Sequence, residues 1–418
     1  MPVTTTFQTS VLDRFLRYVT VDTQSAEGSK TYPSTLKQLA LLDTLTDELR
    51  AIGLKDAVRD AHGYVFATIP ATSKKPGVPV IGFLAHVDTS PEMSGENVKP
   101  IVHRNYAGGD IVLPDDPSAV LRPSEIPALR EQVGNDIVTA SGTTLLGSDN
   151  KSGVAEIMAA AEYLIQHPEI PHGTIRIGFT PDEEVGGGTT YFDVKAFGAR
   201  YAYTMDSGGR GQMDLETFSA DAMTVTFQGL NTHPGYAKGK MVNSIKVAAD
   251  FINRLPKDRM SPETTDDRDG FVHPYILRAA VDQTAVRFII RDFRAAGLKE
   301  KEAMLETLAR DAVAVWPGAS VTFVVEESYR NMKDVLDQHP PVAEYAREAI
   351  RRAGLEVRET AIRGGTDGSR LSYMGLPTAN LFAGEQNFHS RYEWVSVQDM
   401  EKAVETIVHL AQIWDERA

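Results

Sequence analysis

No cysteine occurs in the 418 residues. That absence excludes disulfides, thiolate metal ligands and a cysteine nucleophile, and it fits a reducing compartment. Long apolar runs are missing too. The most apolar helical stretch, Val154 to Ile165, is interrupted by Glu156 and Glu162, so nothing reaches the roughly 20 apolar residues of a membrane span. Met1 to Arg14 has no basic start followed by an apolar run. No signal peptide is read there, and a cytoplasmic location is expected. Basic charge is scarce: 43 Lys and Arg face 57 Asp and Glu, a net charge of −14. With no basic stripe to offset the acid, neither a nucleic acid nor a membrane is expected as a partner.

What remains is an ordinary globular balance, 42% hydrophobic and 24% charged, with length for two or three domains and a large core. Pro33-Ser34-Thr35 is expected to open a helix carrying Leu36, Leu39, Leu42, Leu45 and Leu49 at helical spacing and ending near Gly53. Val78 to Ala85, Thr174 to Thr180, Tyr201 to Met205 and Pro377 to Ala383 read as short buried strands, and Ser152 to Gln166 as a helix. Strands alternating with helices predict an α/β fold, a sheet flanked by helices.

The middle of the chain has another rhythm. Ala222 to Gln228, Ile276 to Val281, Val286 to Phe293 and Val321 to Val325 read as strands, with helices over Met241 to Leu255 and Leu298 to Val315. The order is β-α-β-β-α-β, a compact α+β unit of its own. Residues 1–217 and 326–418 are therefore expected to form one domain, interrupted by an inserted domain over 218–325.

Five segments place His, Asp or Glu where strands are expected to end, the usual position of ligand sites in open α/β sheets. They are Ala85-His86-Val87-Asp88-Thr89, Gly147-Ser148-Asp149-Asn150, Thr180-Pro181-Asp182-Glu183-Glu184, Met205-Asp206-Ser207 and Asn387-Phe388-His389. Each alone has a bland reading. Asp149-Asn150 suits a helix N-cap, Asp182-Glu183-Glu184 a solvated acidic turn, Asp206 a plain turn, and His86-x-Asp88 or His389 a local hydrogen bond. Together they supply two imidazoles and three carboxylates, an N/O set suited to zinc, with cobalt or manganese as alternatives.

These segments resemble the M20 metallopeptidases, most closely the tripeptidase branch, nearly end to end. Ala85 to Ser90, Leu145 to Asp149, Phe179 to Gly186 and Ile362-Arg363-Gly364-Gly365-Thr366-Asp367-Gly368 carry the likeness. The resemblance implies a two-zinc aminopeptidase acting on tripeptides, a homodimer whose inserted domain serves as a lid or dimerisation module. It implies that His86 and Asp206 hold one metal, Glu184 and His389 the other, and Asp149 bridges them. Glu183 becomes the general base and Asp88 the residue orienting His86. It also implies a cis Asp149–Asn150 peptide bond. The family often has two Asp in succession where Asp149-Asn150 stands, which bears on local geometry and not on metal count.

The same likeness assigns three basic groups to substrate. His233 would stabilise the oxyanion in the partner's active site, Arg291 would clamp a peptide carboxylate, and Arg363 would line a substrate-side loop. From spacing alone His233 also has a reading as a turn residue before Pro234, Arg291 as a salt-bridge partner of Asp292, and the glycines after Arg363 as a tight turn. An amidohydrolase of N-acyl amino acids or a carboxypeptidase would share the metal shell. A catalytically inactive peptide-binding protein would be expected to lack the base or a ligand.

Overall fold

Strands rich in Ile, Val, Phe and Tyr gather into one eight-stranded mixed sheet in a computed structural model that describes residues 9–418. The first part of the Met1 to Arg14 stretch lies outside the described residues. The strand order is Val58–Arg59, Val65–Ile69, Ile175–Thr180, Ile81–His86, Tyr201–Ser207, Thr378–Phe382, Gln212–Thr217 and Arg358–Ile362. Four neighbours run parallel: Ile81–His86 pairs with Ile175–Thr180 on one side and Tyr201–Ser207 on the other, and Thr378–Phe382 follows. Every residue of Ile81–His86 and of Thr378–Phe382 is buried, as expected of parallel strands covered on both faces. Because these strands share a direction and His86 stands opposite Thr180, their carboxyl ends bring His86, Thr180 and Asp206 to one edge.

The helix Ser148–Gln166 is buried along most of its length. It packs on Ile81–His86 and Tyr201–Ser207 from one side and against the helices Val11–Tyr18 and Val397–Glu416 from the other. A second, antiparallel sheet runs Glu385–Gln386, Trp394–Ser396, Ile137–Thr139, Ile101–His103. No helix among the described residues is long and apolar enough to cross a membrane.

The chain divides into two compact units. One holds the residues up to Leu215 with Asp334–Thr360 and Thr366–Ala418; the other holds Glu216–Lys333 with Ala361–Gly365. The second unit is a four-stranded antiparallel sheet, ordered Phe271–Ala279, Gln283–Asp292, Ser219–Gln228, Ser320–Tyr329. Burial alternates along its two central strands. The inward face supplies Met223, Val225, Phe227, Phe288 and Ile290, which close on Phe251 and Leu305 of the helices Ser244–Arg254 and Ala295–Ala314.

The helix expected from Pro33 begins only at Gln38. Leu36 is 70% exposed and outside it, and the Tyr32–Pro33 bond is cis. Residues Ser34 and Gln38 bind Asp182 instead: Ser34 N and Oγ donate to its carboxylate at 2.5 Å each and Gln38 Nε2 at 2.6 Å.

Candidate functional site

His86 ends its strand with the ring already committed on one side. Its Nδ1 lies 3.0 Å from the Asp88 carbonyl oxygen and 3.3 Å from Asp88 Oδ1. That leaves Nε2 facing Asp149 Oδ1 at 3.0 Å and Asp206 Oδ1 at 3.4 Å. The fully buried Asp88 carboxylate also accepts the amides of Glu183 (3.0 Å) and Glu184 (3.2 Å). One side chain therefore fixes both the imidazole and the acidic turn. Asp182, at φ +61°, anchors the same turn to Ser34 and Gln38.

Asp149 does not follow a strand. It sits in the first turn of Ser148–Gln166 with non-helical backbone angles, and the Asp149–Asn150 bond is cis. Glu393 holds this turn, accepting from the amides of Leu146 (2.7 Å), Gly147 (2.8 Å) and Asp149 (3.0 Å) and from Ser148 Oγ (2.7 Å). Asp149 Oδ2 points to His389 Nε2 at 3.2 Å, and that nitrogen lies 2.8 Å from Glu184 Oε2. His389 Nδ1 meets Glu92 Oε2 at 3.2 Å. The two oxygens of Asp149 thus face two different histidines.

Donor atoms of His86, Asp149 and Glu184 lie within 4.8 Å of one another, and so do those of Asp149, Asp206 and Glu385. Both groups contain Asp149. All five residues expected as ligands converge, joined by Glu385. Among the described residues Glu184 Oε1 and Glu385 Oε2 are buried without a hydrogen-bond partner. Orphaned buried carboxylate oxygens are costly, and an oxygen-rich set with two imidazoles fits divalent cations.

The electrostatics agree with that fit. Burial works against a charged His86 ring, but Asp206, Asp149 and Asp88 outweigh it and hold the ring well above its usual value. The same contest, decided by Asp149 and Glu184, lifts His389 to about 11. Burial and then Asp149 push Glu184 up to about 8, and burial raises Asp206 to about 6 despite His86. Glu183 is raised chiefly by burial, with His86 opposing and Asp367, Asp206 and Glu184 adding to the rise. The cluster thus holds more carboxylate than its two imidazoles neutralise. A narrow pocket beside it is lined by His86, Asn150, Thr180, Glu183, Asp206 and Asp367.

His233, Arg291 and Arg363 belong to the second unit. His233 is exposed, and its Nδ1 accepts the Gly235 amide at 3.1 Å. Arg291 donates to the Ile290 carbonyl at 3.0 Å and stacks over Tyr329, its Cζ 5.4 Å from the ring centre; Asp292 pairs with Lys301. The Arg363 guanidinium, read from the sequence as lining a substrate loop, donates to the carbonyls of Asp267 (2.9 Å), Asp269 (3.0 Å) and Thr265 (3.3 Å) and to Thr265 Oγ1 (3.1 Å). It also lies over Phe218 and Phe271.

Glu385, Glu393 and Glu92 escaped the sequence reading. None stands in a patterned run, and only the antiparallel sheet around Trp394–Ser396 brings the first two to Asp149. Asp367 belongs to the Arg363 to Gly368 run, where nothing in the spacing sets it apart from the turn around it.

Residues 140–413 match the profile of peptidase family M20/M25/M40. The chain is 46% identical over 408 residues to Peptidase T of Geobacillus kaustophilus, covering 98% of this chain and 99% of that one. It is 48% identical over 407 residues to Peptidase T of Clostridium botulinum, covering 97% and 99%. Among solved structures, an aminopeptidase PepT from Bacillus cereus has the same fold, with a TM-score of 0.74 at 23% identity over 97% of this chain and 98% of that one. A dinuclear metal-binding peptidase from Bacillus subtilis has a TM-score of 0.65 at 15% identity, over 96% and 97%.

Proposed function

Because the chain belongs to peptidase family M20/M25/M40, we propose that it is a two-metal aminopeptidase releasing the N-terminal residue of tripeptides. One observation carries the reading: Asp149 presents one oxygen to His86 and the other to His389, with Glu183 in the adjoining pocket. His86 and Asp206 would hold one ion, Glu184 and His389 the other, and Asp149 both. The donor set favours zinc, with cobalt or manganese as substitutes. Bound there, the ions would supply Lewis acidity at the scissile carbonyl and a water of lowered pKa.

The rest falls to the chain itself. Glu183 takes a proton from the attacking water and delivers it to the leaving amine. Asp88 fixes the His86 ring and, through two amides, the placement of Glu183 and Glu184. By resemblance, His233 serves the oxyanion and Arg291 the peptide carboxylate in a cytoplasmic homodimer. Arg363 enters through the 265–269 loop it ties down.

A panel of free, N-acetylated and C-amidated di-, tri- and tetrapeptides, assayed with zinc, tests this. Free tripeptides should be cleaved fastest, yielding one amino acid and a dipeptide. Preferred cleavage of N-acetylated substrates would identify an amidohydrolase, and release of the C-terminal residue a carboxypeptidase.

A further inference from the structure

An aminopeptidase must distinguish a free α-ammonium from an acylated nitrogen. In a pocket closed to water, that ammonium is best received by a carboxylate that pairs its charge. Most carboxylates of this site are already engaged. Asp149, Glu184 and Asp206 belong to the ligand set, and Glu183 handles the proton. Asp88 holds His86 and two amides, Glu393 accepts four donors, and Glu385 joins the Asp149–Asp206 group.

Asp367 is left over. It is 6% exposed and lines the same narrow pocket as Glu183. Its Oδ2 accepts Thr180 Oγ1 at 3.0 Å; among the described residues no hydrogen bond reaches Oδ1. The chain also makes room for it. A Cβ on Gly188 would stand 2.2 Å from Oδ1 and 2.5 Å from Oδ2, so any side chain there would displace the carboxylate. The Tyr64 hydroxyl ties the Gly188 carbonyl down at 3.0 Å. Thr180 thus holds the carboxylate by one oxygen and Gly188 leaves it room, with the other oxygen free in the pocket it shares with the proton-transfer residue.

We propose that Asp367 receives the α-ammonium of the substrate and so selects peptides with a free N-terminus, an inference that rests on the aminopeptidase reading above.

The test compares zinc-loaded wild type with Asp367→Asn and Thr180→Val. The ligands are trialanine and propionyl-Ala-Ala, which differ only by the amino group. In Asp367→Asn, KM for trialanine should rise about 10²-fold or more, while the Ki of the propionyl compound changes less than about threefold. Bound zinc should be unchanged. Thr180→Val, which keeps the carboxylate but frees its Oδ2, should show the same selective loss at about tenfold, and it decides the matter if the Asn variant fails to fold. An unaltered preference for trialanine, or equal weakening of both ligands, overturns the assignment. If wild type leaves trialanine uncut, the aminopeptidase reading itself fails; if wild type cuts it and the variants discriminate as before, only the role of Asp367 fails.

Discussion

Glu183 and Glu184 are chain neighbours with different surroundings. Glu184 faces His389 at 2.8 Å, whereas Glu183 lines the pocket with Asp367 and Asp206. Glu183→Gln should therefore keep two bound ions and lose several orders of magnitude in kcat, since an amide cannot carry a proton. Metal analysis beside single-turnover kinetics checks both halves. A second carboxyl gives a stability prediction away from the ligands. Glu156 is fully buried in Ser148–Gln166 with neither oxygen hydrogen-bonded; burial first, and the nearby Asp399 carboxyl second, raise it well above its usual value. The folded state then binds that proton more tightly than the unfolded state, so stability drains away as pH rises from about 4.3 toward the raised value. Glu156→Gln should raise Tm by a few degrees at pH 8 and by much less at pH 5, in thermal melts at both. The residues that converge at the site were legible because His-x-Asp, Asp-Asn and Asp-Glu-Glu stand in short patterned runs. Glu393 and Glu385 were not, because their places depend on strand pairing between distant parts of the chain.

At the scale of elements, the approach of one helix to one strand sets the site. Gly153, one turn into Ser148–Gln166, has space for no side chain: a Cβ would lie 2.0 Å from the Met205 carbonyl oxygen and 2.4 Å from Asn150 Oδ1. Met205 precedes Asp206, and Asn150 follows Asp149. Gly153→Ala should thus part Asp149 from Asp206, costing about 1–3 kcal/mol in urea unfolding and weakening metal binding in calorimetry. Gly109→Ala, where a Cβ meets nothing, should change neither. The parallel strands were readable from sequence because strands buried on both faces are continuous apolar runs. The first long helix starts later than its leucine spacing predicts. Its leucine spacing extends back to Leu36, but the bonds from Ser34 and Gln38 to Asp182 hold that stretch as a turn. Short strands such as Ile101–His103 and Trp394–Ser396 carry too few residues for a period to show.

For the whole molecule, the second unit has its own core, closed by Phe227, Phe251 and Phe288. The β-α-β-β-α-β order was plain from alternating patterns, yet the return of Ala361–Gly365 to this unit was not, because Arg363 reaches 265–269 across nearly a hundred residues of chain. If the unit serves substrate as proposed, His233→Ala should lower kcat about 10²–10³-fold with metal content unchanged. Arg291→Ala should weaken free-acid tripeptides and barely affect amidated ones. Wild-type kinetics in both variants would leave the unit no part in substrate binding.

The central claim, catalysis by a pair of ions held through Asp149, is tested most directly by stripping the protein with chelator and titrating zinc back while tripeptide cleavage and bound metal are followed together. Activity should vanish on stripping and return as occupancy approaches two ions per chain, and Asp149→Ala should bind ions poorly and stay inactive. Full cleavage by protein carrying no detectable metal would contradict the account.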